Sequence, residues 1–243
     1  MNATATATVN TSAASNYDEA ADYIWNNSFD KPTLVVSRAR VGVQYDALQA
    51  GLGDARIHYA VKANPAPEII RMLVERGSGF DAASRQEIEL CLSQGADPAK
   101  ISFGNTIKRG VDIAFAHSIG VTMFAADCEA ELDKIAEHAP GARVYIRLIV
   151  ENSMADWPLT RKFGCAGSLL PSLLEYTKSV GLVPYGLSFH VGSQTRRAEY
   201  WHPVLDQVAP LWHAAKEAGH DLQLLNIGGG FPAYHGDPVD APR

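Results

Sequence analysis

The chain has 243 residues, of which 47% are apolar, and its formal net charge is −6. This length and composition suit one large soluble domain with a sizeable core, and the negative charge argues against nucleic acid or an anionic membrane surface as the main partner. No apolar run reaches the length of a membrane span. The three cysteines show no CxxC spacing, which is typical of reduced thiols in a cytoplasmic protein. The histidines show no HxxxH or HExxH spacing, so no metal site is predicted.

The amino-terminal residues 1–16 are rich in Ala, Thr, Ser and Asn and contain no Lys or Arg, which predicts a disordered tail. A short helix is predicted over Tyr17–Trp25 and an early strand over Pro32–Val36. From Ile57 onward apolar strands alternate with amphipathic helical stretches, and the folded domain is expected to cover residues 31–243. The strands of this alternating part are predicted at Ile57–Val61, Gly79–Ala82, Ile101–Gly104, Val121–Ala125, Arg143–Val150, Gly186–Val191 and Leu222–Ile227.

This alternation of near-continuous apolar strands with helices predicts an α/β fold with a parallel sheet. An open doubly wound sheet satisfies the same pattern. A TIM-type (β/α)8 barrel is favoured, because polar residues gather at the carboxyl ends of different strands, where barrels build their active sites. The recognisable strands are one fewer than the eight that such a barrel needs. The barrel is therefore expected to be incomplete.

Capping residues and one polar segment complete the predicted framework. Ser84 is predicted to cap a helix, with Glu87 at the capping-box position, and Asp127 to cap a later helix. The polar segment Asn152–Lys162 follows a long apolar strand and is predicted to be a loop at the mouth of the barrel.

Lys62 is the most informative residue, because it stands where an apolar strand gives way to a turn at Asn64 and Pro65. A lysine there projects from the carboxyl end of a strand, where we expect apolar neighbours. An amine held among apolar groups can lose its proton and attack an aldehyde, as Schiff-base lysines do. The alternative is a solvated surface charge, which is what most lysines are.

Three charged residues are candidates for the surroundings of this lysine. Asp81 ends a predicted strand and Glu87 follows about one helical turn later, so both carboxylates could orient the lysine amine and balance the charge of a cofactor. Each acid alone is also explained by a helix start, where acids complement the helix dipole. Arg147 lies within an apolar strand and must pair with another group. Its partner belongs either to a structural ion pair or to the site.

Two further strand ends carry residues suited to a flat ring and to an anion. His190 is either a satisfied core histidine or a ring that lies against a planar cofactor, and Ser193 offers a hydroxyl and a backbone N–H to an anion. The run Gly228, Gly229 and Gly230 is either a loose turn or the phosphate site that barrels form after their last strands. A lysine amine, a planar ring and one phosphate together fit pyridoxal phosphate best.

Several segments, in order along the chain, resemble the fold-type III pyridoxal-phosphate-dependent decarboxylases. They are Tyr59–Asn64, Gly79–Ser84, Ile101–Asn105, Trp157–Gly164, Phe189–Ser193 and Ile227–Pro232. The amino-acid sequences of these segments are most similar to those of the ornithine decarboxylase branch of the family. The resemblance implies that the chain is the amino-terminal barrel portion of such an enzyme, with pyridoxal 5'-phosphate as its cofactor.

The resemblance also implies roles for individual residues. Lys62 would bind the cofactor covalently, His190 would stack on its ring, and Ser193 with the triple glycine would hold its phosphate. The implied catalytic residues are Lys62, Asp81, Glu87, Arg147 and His190, and the implied cofactor-binding residues are Lys62, His190, Ser193, Gly228, Gly229 and Gly230. The implied activity is conversion of ornithine to putrescine and carbon dioxide in polyamine biosynthesis, by a cytoplasmic enzyme that is a homodimer at full length.

The carboxyl-terminal part departs from the family pattern. The family's Glu-Pro-Gly-Arg strand and its second, β-rich domain with a Cys-Asp loop have no counterpart here, so the chain by itself is expected not to turn over ornithine. Because substrate choice depends on that half, lysine, arginine or diaminopimelate is an alternative substrate. A non-catalytic pyridoxal-phosphate-binding or regulatory decarboxylase-like protein is the other alternative. The coding sequence beyond Arg243 would distinguish these possibilities.

Overall fold

The computed structural model describes residues 17–150 and 162–233. The chain divides into two compact units, Met1–Ala55 and Arg56–Arg243. The predicted tail over residues 1–16 lies outside the described residues, and so does the predicted loop 152–162 except for its last residue. The expected domain boundary at residue 31 stays a prediction.

The first unit contains helix α1 at Tyr17–Trp25, as predicted, and helix α2 at Arg38–Leu52. The early strand predicted at Pro32–Val36 is wrong, because this segment forms no strand. A short apolar run becomes a strand only when a neighbouring strand pairs with its backbone groups. The segment instead leads into α2, where the side chain of Ser37 caps the helix by accepting a hydrogen bond from the Arg40 backbone N–H.

The second unit is one sheet of seven parallel strands in sequential order. Its strands are β1 at His58–Ala60, β2 at Gly79–Ala82, β3 at Ile101–Phe103, β4 at Met123–Ala126, β5 at Arg143–Arg147, β6 at Val183–Ser188 and β7 at Leu224–Asn226. The connecting helices are α3 at Pro67–Glu75, α4 at Arg85–Ser93, α5 at Gly110–Ser118, α6 at Glu129–His138, α7 at Leu170–Ser179 and α8 at His202–Glu217. This architecture confirms the predicted α/β class, with strands and order of an incomplete (β/α) barrel.

The two faces of the sheet differ in polarity because side chains alternate along each strand. One face is apolar and buried, with Phe80, Phe103, Phe124, Ile146 and Leu187 aligned by the parallel register. Helices α4, α6 and α7 pack against the strands of the sheet. The other face carries polar side chains in the same register, among them His58, Asp81, Ser102, Tyr145 and Arg147. The polar side chains named here therefore share the inner face of the incomplete barrel.

Strand β5 ends earlier than predicted, at Arg147 instead of Val150. The backbone beyond it pairs with a different part of the chain, because Leu148 forms a parallel bridge with Cys165. The predicted cap of α6 is also wrong, since Cys128 is its N-cap residue. Asp127 accepts a hydrogen bond from the backbone N–H of Gly164 instead, at 2.8 Å. Both differences arise from long-range partners that sequence spacing does not reveal.

A buried ion cluster holds the loop that follows β3. The Lys108 ammonium lies 2.8 Å from the Glu131 carboxylate on α6, and it also donates to the carbonyls of Asn105 at 2.9 Å and Ala125 at 2.6 Å. Lys134 lies 2.5 Å from the other carboxylate oxygen of Glu131. Lys108 and Glu131 are buried, so water does not solvate either charge and each is stabilised by the other. The cluster joins the β3 loop to the end of β4 and to α6.

Replacing Glu131 by Gln should therefore destabilise the protein strongly, because it leaves the buried Lys108 ammonium without its counter-charge. We expect a loss of about 3 kcal/mol in the free energy of unfolding, measured by urea denaturation. The matched control is Glu137→Gln on the same helix, where the side chain is 72% exposed and the change should stay within about 0.5 kcal/mol. Equal effects of the two substitutions would contradict the assigned role of the cluster.

Candidate active site

The carboxyl ends of β1, β2, β5 and β6 bring together the polar residues predicted from the sequence. Lys62 and Arg147 both act electrostatically on the Asp81 carboxyl and on the His190 ring. Burial raises the pKa of Asp81 and the two cations oppose that rise, whereas burial lowers the pKa of His190 and the two cations add to that effect. Lys62 follows β1, Asp81 lies in β2, Arg147 ends β5 and His190 follows β6. The four residues thus lie at the same edge of the sheet and within electrostatic reach of one another, and their roles stay predictions.

Lys62 lies in a short 3-10 turn, Val61–Ala63, directly after β1. Its side chain is exposed, whereas the sequence suggested an amine held among apolar neighbours. The turn is fixed by Asn64, whose side chain accepts a hydrogen bond from the Ala66 backbone N–H at 3.0 Å and whose carbonyl accepts one from the Tyr59 hydroxyl at 3.3 Å. The amine is consequently accessible to a ligand at the strand ends, and charged groups provide its electrostatic surroundings.

Asp81 is the acid at the centre of this group. Burial raises the pKa of its carboxyl, while a hydrogen bond from the Ser102 hydroxyl at 2.7 Å and the charges of Lys62, His58 and Arg147 oppose that rise. The carboxylate also needs a glycine opposite it, because a Cβ at Gly104 would overlap one of its oxygens.

Ser84 caps the helix as predicted, but the Glu87 side chain departs from a standard capping box because it accepts from the residue before the N-cap. The Ser84 hydroxyl accepts from the Glu87 backbone N–H at 3.3 Å, and the Glu87 carboxylate accepts from the Ala83 backbone N–H at 2.7 Å. These contacts place Glu87 at the start of α4, directly after the strand that carries Asp81. They establish its helix-capping role, and its catalytic role stays a prediction.

Arg147 is half-buried at the end of β5. Its guanidinium lies 5.4 Å from the centre of the Phe163 ring, a distance at which a cation is attracted to the ring face. Because its charge also acts on Asp81 and His190, the partner of this arginine belongs to the strand-end group. The role of Arg147 in the site stays a prediction.

His190 has a fixed ring orientation and a neutral ring near pH 7. Its Nδ1 accepts a hydrogen bond from the Gly192 backbone N–H at 3.0 Å, so the proton of the neutral ring is on Nε2. Burial, together with the charges of Arg147 and Lys62, lowers the pKa of His190 to about 4. The ring therefore offers a flat, uncharged surface beside two cationic groups.

The loops that follow β6 and β7 are joined into one unit, which we call the loop clasp (residues 189–195 and 227–233). The Thr195 backbone N–H donates to the Gly230 carbonyl at 2.8 Å. The Gln194 side chain pairs with the Ala233 backbone, accepting from its N–H at 2.7 Å and donating to its carbonyl at 3.2 Å. The rings of Trp201 and Phe231 stack with centroids 5.4 Å apart. Sequence reasoning found the glycines of the clasp but missed these partners.

Within the clasp, the triple glycine presents backbone donors to the site. The Gly228 N–H donates a hydrogen bond to Asn226 Oδ1 at 2.9 Å. The N–H groups of Gly229 and Gly230 make no hydrogen bond within the described residues. Ser193 is exposed in the other loop of the clasp. Unpaired amides in a glycine loop suit an anion such as a phosphate, with Gly229 and Gly230 rather than Gly228 as the available donors.

These residues fit pyridoxal phosphate by the chemistry of their donors. Lys62 would hold the aldehyde carbon, the neutral His190 ring would lie against the pyridine ring, and the amides of Gly229 and Gly230 with Ser193 would hold the phosphate. Sequence reasoning missed the inner-face residues His58, Ser102, Tyr145 and Asn226. Alternation along β5 could have indicated Tyr145, which lies two residues before Arg147 on the same face.

The described part of the chain contains no group of three or more His, Cys, Asp or Glu side chains arranged to hold a metal ion. Within the same residues, none of the helices has both the length and the apolar character needed to cross a membrane.

Residues 38–241 match the family model described as pyridoxal-dependent decarboxylase, pyridoxal binding domain. The chain is 37% identical to decarboxylase flvG of Aspergillus flavus over 88% of this chain and 50% of the relative. It is 37% identical to the lysine/ornithine decarboxylase of Selenomonas ruminantium over 83% of this chain and 51% of the relative. It is also 36% identical to antizyme inhibitor 2 of Xenopus laevis over 72% of this chain and 38% of the relative.

Solved structures give the same picture. A mutant of SrLDC in complex with PLP is similar with a TM-score of 0.80 and 36% identity, over 84% of this chain and 53% of that protein. The arginine decarboxylase of Paramecium bursaria Chlorella virus has a TM-score of 0.76 and 31% identity, over 80% of this chain and 53% of the other. The chain thus spans about half the length of the first of these relatives and structures.

The lowered pKa of His190 predicts a pH dependence of stability. Between about pH 6.5 and pH 4 the unfolded chain binds a proton at His190 that the folded chain does not, so the free energy of unfolding should fall as the pH is lowered through this window. The contribution is on the order of 2–3 kcal/mol. Urea denaturation of the wild type and of His190→Gln at several pH values should show a difference that changes inside this window and is flat above it. A difference that does not vary with pH would contradict the prediction.

The loop clasp should tolerate alanine at one of its glycines and not at another. Gly230 has a φ of +90°, and a Cβ there would overlap the Gly192 carbonyl oxygen, so Gly230→Ala should lower the free energy of unfolding by about 1–3 kcal/mol. In Gly229→Ala the Cβ would lie 3.5 Å from His190 Nε2, an ordinary contact, and stability should change by less than about 1 kcal/mol. Thermal unfolding of both variants measures the difference, and the reverse order would show that the clasp is misassigned.

Proposed function

The chain belongs to the pyridoxal-dependent decarboxylase family, and from this premise we propose that it is the cofactor-binding part of a decarboxylase of a basic amino acid, with ornithine as the first candidate substrate. The observation that carries the proposal is the position of Lys62, Asp81, Arg147 and His190 at the carboxyl ends of β1, β2, β5 and β6, within electrostatic reach of one another. A lysine amine, a neutral flat ring and unpaired glycine amides at one edge of a sheet are what a pyridoxal phosphate site requires.

When bound, pyridoxal phosphate supplies an electron sink for the electron pair left when an α-carboxylate departs as carbon dioxide. The residues of this chain would bind, orient and balance charge around it. The exposed Lys62 amine would hold the cofactor, and the Asp81 carboxylate would orient that amine through the opposite charge. Burial keeps His190 uncharged, and the positive charges of Arg147 and Lys62 act in the same direction, so the ring can lie against an aromatic face. Glu87, one helical turn beyond Asp81, is proposed as a second carboxylate near the amine.

The substrate assignment rests on the relatives and on the resemblance of the motifs. The relatives include a lysine/ornithine decarboxylase and the structures an arginine decarboxylase, so lysine and arginine are the rival substrates. Diaminopimelate stays a fourth possibility. We also propose that the protein works as a homodimer in the cytoplasm, in polyamine biosynthesis, as the resemblance implies.

A non-catalytic binding protein is the second candidate function. The similarity to antizyme inhibitor 2 favours it, since the identity to that protein, 36%, equals that to decarboxylases within about one per cent. The retention of Lys62, Asp81, Arg147 and His190 favours the enzyme, because a protein that only binds partners has no need of a reactive amine beside a carboxylate.

Cofactor labelling tests the proposed site. The protein is incubated with pyridoxal phosphate, reduced with borohydride and mapped by peptide mass spectrometry, and the label should lie predominantly on Lys62 because its amine is exposed beside Asp81 and His190. Lys62→Ala should lose at least about 90% of the specific label, as expected for a single covalent site. The exposed Lys178 on α7 provides the control, and Lys178→Ala should label as the wild type does. Label spread evenly over surface lysines would refute the site.

Carbon dioxide release then distinguishes the two candidate functions. In a form that carries the carboxyl-terminal half found in its relatives, and loaded with pyridoxal phosphate, the protein should release carbon dioxide from ornithine faster than from lysine, arginine or diaminopimelate. His190→Ala should lower kcat/KM at least about tenfold if the ring orients the cofactor. Rates equal to those of free pyridoxal phosphate for all these amino acids, with Lys62 still labelled, would favour the binding protein. A preference for lysine or arginine would correct the substrate and keep the reaction.

A further inference from the structure

Two hydroxyls on the inner face lead to the Asp81 carboxylate. The Ser102 hydroxyl on β3 lies 2.7 Å from Asp81 Oδ1, and the Tyr145 hydroxyl on β5 lies 3.5 Å from Ser102 Oγ. Tyr145 and Ser102 are buried, so water does not compete strongly for these hydroxyls. The direction of the chain follows from chemistry, because an ionised carboxylate can only accept. Ser102 therefore donates to Asp81, and its oxygen is left to accept from Tyr145.

We propose that Ser102 and Tyr145 are positioning residues, a hydroxyl relay that fixes the Asp81 carboxylate in the orientation and charge state in which it acts on Lys62. This inference deepens the proposed function and rests on it. The parallel register places Asp81 opposite Ser102, so the first link of the relay is built into the pairing of β2 with β3. Tyr145 reaches the same point from β5 along the inner face.

The backbone of Gly104 limits the space beside the Asp81 carboxylate. A Cβ at Gly104, two residues after Ser102, would overlap Asp81 Oδ1. The glycine thus lets the carboxylate approach β3 closely enough to accept from the Ser102 hydroxyl. With Oδ1 held by Ser102, the other oxygen is the one that remains for the groups at the strand ends. The orientation of the carboxylate is therefore a property of β3 as much as of β2.

The charges facing Asp81 explain why the relay matters. Lys62 after β1, His58 on β1 and Arg147 on β5 favour the ionised carboxylate, and so does the Ser102 hydroxyl, whereas burial disfavours it. A hydrogen bond to an ionised group in a low-dielectric site is stronger than one in water. Removing the relay shifts this balance towards the neutral acid, which no longer attracts the Lys62 amine.

The experiment measures the titration of the Asp81 carboxyl directly. Carboxyl carbon NMR of the 13C-labelled 243-residue chain, with the Asp81 signal assigned by Asp81→Asn, gives its pKa without any cofactor. Ser102→Ala should raise the pKa of Asp81 by about one unit, the size expected for loss of a hydrogen bond to a charged group. Tyr145→Phe should raise it by less, because it removes the second link only. Ser102→Thr, which keeps the hydroxyl, should leave the pKa of Asp81 at its wild-type value.

Matched controls separate the relay from general effects of the substitutions. Ser78 is a buried serine whose hydroxyl donates to the Gly79 carbonyl, and Tyr176 is a tyrosine whose hydroxyl donates to the Asp133 carboxylate far from Asp81 in sequence. Ser78→Ala and Tyr176→Phe should leave the pKa of Asp81 unchanged. If Ser102→Ala does not fold, Ser102→Cys provides the test, since a thiol has similar size and donates weakly.

The outcomes distinguish the relay from the proposed function. An unchanged Asp81 titration in Ser102→Ala or Ser102→Cys would overturn the relay, and so would an equal shift in the controls. Borohydride labelling of Lys62 across the same pH range provides the second readout. In Ser102→Ala, the pH at which Lys62 labelling falls on acidification should rise by the same amount as the pKa of Asp81. Absence of Lys62 labelling in the wild type would instead count against the proposed cofactor site, whatever the titration of Asp81 shows.

Discussion

Parallel hydrogen bonding between neighbouring strands requires every strand of the sheet to end at the same edge, and the candidate site depends on this requirement. Lys62, Asp81, Arg147 and His190 are far apart in sequence, yet each lies near the carboxyl end of a strand or directly after one, so the common strand direction places them at one edge of the sheet. The same register sorts the side chains between two faces. Helices cover the apolar face, and this leaves the inner face for polar groups.

Buried polar groups on the inner face destabilise the fold unless they are paired. Here they are paired in a connected set. Tyr145 donates to Ser102, Ser102 donates to Asp81, and the positive charges near the strand ends favour the carboxylate. The Lys108 and Glu131 cluster solves the same problem beside the sheet. In both places a buried charge is stabilised by its partners, and those partners in turn would be left unpaired without it. Removing one member of such a set costs more than the set contributes as a whole.

The backbone geometry of the loop clasp orients two amides, unpaired within the described residues, before any ligand binds. Gly228 and Gly230 adopt positive φ values of +73° and +90°, which glycine allows without strain. The clasp uses the Gly228 amide and the Gly230 carbonyl internally. The remaining amides of Gly229 and Gly230 are held in place and are left to donate. A site whose donors are already oriented loses less conformational entropy when it binds a ligand.

The sequence by itself determined the strand order, the parallel sheet, the helix cap at Ser84, and the strand-end positions of Lys62, Asp81 and His190. These features follow from local periodicity and from turn residues, which act over a few positions. It predicted wrongly a strand at 32–36, which has no strand to pair with among the described residues, and a cap at Asp127, whose carboxylate instead bonds the distant Gly164. Only the tertiary structure decided that Lys62 is exposed, that Gly228 is already paired and that Ser102 and Tyr145 reach Asp81. Those features depend on the register between strands and on which side chains share a face, and no local pattern encodes the distance between residues 81, 102 and 145.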